Sequence, residues 1–183
     1  PLPWSKASIT LNHLEVSSWS LTMDASAADR AAAGWGIIAT LDREPILTGY
    51  VEDPERRRTS ASSLGTVQVS GADDLGVVAA MLAWPAPDRD IGVQLIADRR
   101  EGPAETVIKG YVGANIGTGR AASRRDPAAP LAREVTVAPD LGRGPDISHR
   151  ARFDPLLDVV RACAAGTDLG ISVTQQGAAL VFD

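Results

Sequence analysis

A single cysteine, Cys163, excludes an intrachain disulfide and a four-cysteine zinc site. Only two histidines are present, His13 and His149, so a histidine-built metal centre or relay has little to draw on. No run approaches the roughly 18 apolar residues that a membrane helix needs. No charged start followed by an apolar middle marks a signal peptide. Lysine is confined to Lys6 and Lys109, and the net charge is −5. A protein built to grip nucleic acid would carry a basic face, so specific nucleic-acid binding is not expected. Aromatics make up 4% of the chain, and four of them are Trp: Trp4, Trp19, Trp35 and Trp84.

What is present is ordinary for a folded protein: 183 residues, 44% hydrophobic and 22% charged. That length fits one large domain or two small ones. The opening Pro1-Leu2-Pro3 lacks a Met, and the chain reads as a piece of a longer protein, with N- and C-terminal parts missing.

The first half reads as strands. Residues 8–11 and 18–23 alternate polar and apolar, the pattern of a half-buried strand. A short helical turn is expected over Ala27–Ala33, between Asp24 and Gly34. Residues 35–41 form a more continuous apolar run, Asp42-Arg43-Glu44 suits a hairpin connection, and residues 45–52 return. Pro45 fits a first strand position, where no ladder donor is required. A further strand covers 65–71. A helix is expected from Asp73-Asp74 to Trp84, closed by Pro85. The pattern predicts a small antiparallel barrel-like domain with a packed helix over residues 1–87.

Residues 88–183 read as a mixed α+β domain, making the whole chain β-rich α+β. Pro103 opens a helix carrying Val107, Ile108, Tyr111 and Val112 on one side. Residues 115–130 are read as a long loop and 133–138 as a strand. Leu141 to Pro145 is a turn, and 146–152 a strand. Asp154-Pro155 begins a second helix running to Ala165. Strands at 169–174 and 178–182, joined through Gln175-Gln176-Gly177, finish the chain.

No catalytic, cofactor-binding or metal-ligating residues are assigned. His149 has Ser148 beside it and Asp146 nearby, but neighbours on a strand point to opposite faces, so no Ser-His-Asp relay forms. Asp73 and Asp74 read as caps at a helix start, where carboxylates offset the dipole. The glycine-rich stretches at 113–119 and 142–144 match no phosphate-cradling motif. Cys163 falls on an apolar helix face, as a buried inert thiol does. Trp19 and Trp35 read as core. Trp84, at an expected helix end, and the basic cluster Arg56, Arg57 and Arg58 are the candidate interface residues, because packing alone does not account for them.

Several motifs occur in an order that resembles the minor tail protein family of actinobacterial siphoviruses. They are Gly34-Trp35-Gly36-Ile37-Ile38-Ala39-Thr40-Leu41-Asp42 with Pro45-Ile46-Leu47-Thr48-Gly49, and Val69-Ser70-Gly71-Ala72-Asp73-Asp74-Leu75 leading to Ala83-Trp84-Pro85. Gly102-Pro103-Ala104-Glu105-Thr106-Val107-Ile108-Lys109 and Asp140-Leu141-Gly142-Arg143-Gly144-Pro145 with Phe153-Asp154-Pro155 follow. That family is similar to phage baseplate-hub proteins and to the N-terminal part of tail-associated lysins. The resemblance implies a non-enzymatic homotrimer at the virion tail tip, with barrel-like domains in a pseudo-sixfold ring below the distal tail protein. Implied partners are the distal tail protein, the tape measure protein and downstream tip or fibre proteins, with no cofactor and no direct membrane insertion. Two alternatives stand beside it: the anchoring module of a cell-wall lysin, and a host-carbohydrate-binding tail module.

Overall fold

The computed structural model describes residues 4–24, 34–52, 55–57, 65–117 and 135–183. The chain divides into two compact units, Pro1–Gly76 and Val77–Asp183. Residues 77–87, grouped above with the first domain, fall in the second unit.

The first unit is a curled antiparallel sheet of the half-barrel kind. Its strands are β1 (Lys6–Thr10), β2 (Ser18–Asp24), β3 (Gly36–Leu41), β4 (Glu44–Val51), β5 (Glu55–Arg57) and β6 (Thr66–Asp73). The order is β1-β2-β6-β4-β3. β2 runs along the whole of β6. On its other side β6 pairs first with β5 and then with β4. Alternation along the strands builds the core: Trp19 and Met23 from β2, Val67 and Val69 from β6, Leu47 and Val51 from β4. Register places polar residues together on the opposite face, with Ser8, Ser20 and Ser70 in one row and Lys6, Thr22 and Gln68 in the next.

Two glycines permit the β4–β6 crossing. A Cβ on Gly71 would collide with the Tyr50 carbonyl oxygen and stand 2.8 Å from the Trp19 ring. One on Gly49 would collide with the carbonyl oxygen of Ala72. The β3–β4 hairpin closes through Asp42 and Arg43, at φ 52° and 75°. Two consecutive positive φ values make the mirror-image turn that matches strand twist. An extra residue on β4 then shifts the register between Ala39 and Thr40, and Pro45 sits beside that bulge.

The expected helix from Asp73 to Trp84 is replaced by a single turn, α1 (Gly76–Ala79). Asp73 stays in β6, paired with Gly49, and its carboxylate accepts from the Ser17 and Leu75 amides. Leu82 and Ala83 leave as a short strand, β7, to pair with Asp154 and Pro155 (β11). Tertiary pairing at both ends overrides the helical spacing between them.

In the second unit, β8 (Asp98–Pro103) pairs antiparallel with β10 (Asp146–Ala151). α2 (Ala104–Asn115) packs on that pair and on α3 (Leu156–Ala164). α3 begins one residue after Pro155, so Pro155 is its cap and Asp154 belongs to β11. β12 (Val173–Gln176) and β13 (Ala179–Phe182) form a hairpin, to which β9 (Val135–Val137) adds in parallel. The hairpin turn is Gly177-Ala178, one residue later than expected, and Gly177 takes φ 63°. β12 begins at Val173, short of the expected start at Leu169. The expected turn at Ala27–Ala33 and most of the loop at 115–130 lie outside the described residues.

Candidate functional site

Among the described residues, a charged constellation is built around the start of α2. Glu105 and Lys109, four residues apart, point the same way and are both buried. Lys109 donates to Glu105 Oε1 at 2.6 Å, to Asp183 Oδ1 at 2.6 Å and to the Pro139 carbonyl at 2.9 Å. All three ammonium donors are therefore used. Arg143 grips Glu105 with its backbone amide at 2.8 Å, Nε at 3.0 Å and a terminal nitrogen at 2.9 Å. It also reaches Asp183 at 3.1 Å.

Two cations and two carboxylates balance, which is what makes burial of the pair tolerable. The Arg143 guanidinium, with help from Lys109, holds the Glu105 carboxyl well below the usual carboxylate range despite its burial. Burial pulls Lys109 down, but its bonds to Asp183 and Glu105 outweigh this and leave it raised. A group poised for acid–base work has a pKa near the working pH. These two are driven away from it, so the cluster is a clamp joining α2, the 139–143 turn and the end of β13. A crevice of about 20 Å³ beside it has room for a water molecule and no more.

A second clamp is Tyr111. Its single hydroxyl proton is shared between the carbonyls of Asp98 and His149, bridging β8 and β10. Burial pushes its pKa up to about 12. Arg100 lies over its ring at 4.9 Å and His149 meets it edge-on. His149 is thus packed on a tyrosine face, and no catalytic partner approaches it among the described residues. Those residues contain no group of three His, Cys, Asp or Glu able to hold a metal. None of their helices is long and apolar enough to cross a membrane. Cys163 is buried on α3, and burial pushes its thiol up to about 11.

The candidate interface residues fall in different units, Trp84 in the second and Arg56 and Arg57 in the first. Trp84 is half-buried and meets Phe153 edge-on at 5.0 Å, within the second unit. Asn115 ties down the same stretch by accepting from the Trp84 amide. Arg56 and Arg57 lie on β5, opposite Val67 and Thr66 of β6. Arg58 lies outside the described residues. Trp35, expected in the core, is 56% exposed, because it precedes edge strand β3 and only its backbone is tied, to Val51.

One surface escaped the sequence analysis. Ile91, Val93, Leu95 and Ile96 are all exposed, Ile96 by 85%. Gln94 holds this loop by donating to the Ala86, Arg89 and Asp90 carbonyls and accepting from the Ala86 amide. Arg152 bonds the Leu95 and Ile96 carbonyls from the other side. The available signal was four large apolar residues, Ile91, Val93, Leu95 and Ile96, crowded between Asp90 and Asp98.

Residues 3–183 match the family model described as Siphovirus ReqiPepy6 Gp37-like protein. The chain belongs to this family. No curated protein matches the sequence. Among solved structures, this Gp37-like chain resembles the 43 kDa tail protein of prophage MuSo2 from Shewanella oneidensis, at TM-score 0.54 and 18% identity. It also resembles a tail protein from Neisseria meningitidis MC58, at TM-score 0.53 and 12% identity. Each match covers 98% of this chain, but 50% and 45% of the respective solved chains. The Gp37-like chain therefore shares its fold with phage tail proteins and spans about half their length. The family match runs through both units, which is why the motif order was readable while each motif alone carried little.

Proposed function

We propose that this chain is a structural component of a siphophage tail, placed at the tail tip as a hub protein and acting by assembly. The observation that carries the reading is the fold, which follows phage tail proteins over 98% of the chain. Its charged groups support the same reading, because Glu105, Lys109, Arg143 and Asp183 are committed to one another. In this reading three copies form a ring below the distal tail protein, contacting tape measure and tip proteins, and the host is an actinobacterium. Trp84, Arg56, Arg57 and Arg58 remain candidate contacts, joined by the exposed loop of Ile91 to Ile96. The acidic balance suits a ring through which DNA passes, since like charges repel.

The test is location and mass together. Antibody raised against the chain should label the tail tip of intact virions, and light scattering should report three copies. Label along the whole tail or on the capsid would overturn the hub placement. A stable dimer would overturn the threefold ring.

A further inference from the structure

We infer that copies of this chain join through their sheets, the outer edge of β3 in one copy pairing with the outer edge of β1 in the next, the two strands running parallel. The inference deepens the proposed ring and rests on it.

The first observation is where the exposed apolar side chains lie. Among the described residues of the first unit, six large hydrophobics are exposed: Trp4, Leu11, Trp35, Ile38, Leu41 and Ile46. Trp4 and Leu11 flank β1, and Trp35, Ile38 and Leu41 lie on or just before β3. Ile46 is the extra residue of β4 beside β3. None lies on the inner strands β2 and β6. Among the described residues, five of the six therefore lie at the two edges of the sheet, and Ile46 bulges from β4 next to one of them.

Natural sheets blunt such edges with charges, prolines or short strands. β3 has six residues with neither charge nor proline, and Lys6 is the lone charge on β1. Among the described residues neither strand has a partner on its outer side.

Strand parity then selects the arrangement. The four steps β1-β2, β2-β6, β6-β4 and β4-β3 are all antiparallel, so the two edge strands point the same way. Rotating a copy about a ring axis along the strands brings β1 beside its neighbour's β3 in parallel. The side chains agree with that alignment. Each edge has a Trp before its strand and a Leu at or after its end, Trp4 and Leu11 on one, Trp35 and Leu41 on the other. Aligning Ser8 with Ile38 in a parallel pair sets Leu11 beside Leu41 and Trp35 beside Ser5, next to Trp4, whereas a two-fold contact of β3 with itself centred on Ile38 would set Trp35 against Leu41. A second copy is the occupant because the chain itself carries both matched edges.

The test uses the whole chain at high concentration with four forms: wild type, Ile38→Lys, Ile38→Cys and the double variant Ser8→Cys/Ile38→Cys. Register places Ser8 and Ile38 on the sheet face away from the core, so the pair can bond across a parallel contact. Buried Cys163 serves as the internal control in all four. Wild type should exceed the 19.1 kDa monomer mass, and Ile38→Lys should return to it with an unchanged circular dichroism spectrum. Oxidised Ser8→Cys/Ile38→Cys should yield covalent oligomers, and Ile38→Cys alone should not. Covalent dimers from Ile38→Cys alone would overturn the proposal in favour of a two-fold contact. It also fails if wild type stays at 19.1 kDa, or if Ile38→Lys keeps the full mass. Virion labelling separates the two readings. Tip label with a monomeric chain keeps the hub and removes the edge contact, while edge-linked oligomers without tip label do the reverse.

Discussion

Glu105 is the buried carboxylate at the start of α2 in the second unit. It is negative and held by two cations, so removing its charge leaves Lys109 and Arg143 to share the carboxylate of Asp183. Glu105→Gln should destabilise the unit by about 3 kcal/mol or more, the cost of breaking a buried pair, read from the urea midpoint. The pH dependence follows from the direction of each shift. Glu105 is depressed, so its contribution is complete above the unfolded carboxylate's value of about 4.3 and drains away as pH falls below it. Lys109 is raised, so its contribution is complete below about 10.4 and is lost as pH rises through its folded value. Cys163 adds an earlier alkaline loss. Its thiol ionises near 8.5 when unfolded but near 11 when folded, so stability declines across that interval. Urea midpoints from pH 2 to 11 should show both limbs, and Glu105→Gln should flatten the acid one. Tyr111→Phe should cost about 1 kcal/mol by removing the hydroxyl shared between two strand carbonyls.

At the level of elements, turns and held loops carry the informative strain. Arg43 occupies φ 75° in the β3–β4 turn, where a side chain costs about 1–2 kcal/mol and glycine nothing beyond entropy. Arg43→Gly should therefore stabilise the first unit by about 0.5–1 kcal/mol, seen as a raised melting temperature. Gly71 is the opposite case: Gly71→Ala drives a methyl into the Tyr50 carbonyl and should open the β4–β6 pairing. In the second unit, Gln94 makes four hydrogen bonds within its loop. Gln94→Ala should speed exchange of the Ala86 amide about tenfold, the equivalent of one net hydrogen bond. An unchanged rate would mean that Arg152 alone holds the loop.

For the whole molecule, two compact units imply two cooperative transitions. Leu47→Ala, in the first core, should lower one transition by about 2–5 kcal/mol, the usual cost of a buried leucine truncation. Glu105→Gln should lower the other. A single transition moved equally by both variants would show that the units fold as one. Among the described residues, the exposed large hydrophobics fall in a few places: the two sheet edges with Ile46 beside one of them, the loop of Ile91 to Ile96, Leu82 and Leu141. That distribution is what a subunit with a small number of defined contacts should have.

Periodicity in the sequence by itself determined most strands, both long helices and the β-rich α+β class, because alternation and helical spacing are local consequences of which side chains must be buried. The order of motifs also led to the tail-protein family, which the family match over residues 3–183 bears out at the siphovirus level. Only the tertiary structure decided that residues 73–84 hold one helical turn, since Asp73 and Leu82-Ala83 are claimed by strands far away in sequence. It alone placed Trp35 at an edge and not in a core, because edge position depends on the order in which strands pair. It alone joined Glu105 and Lys109 to Arg143 and Asp183, 38 and 74 residues away, since charge pairing across such distances leaves no period in the sequence to read.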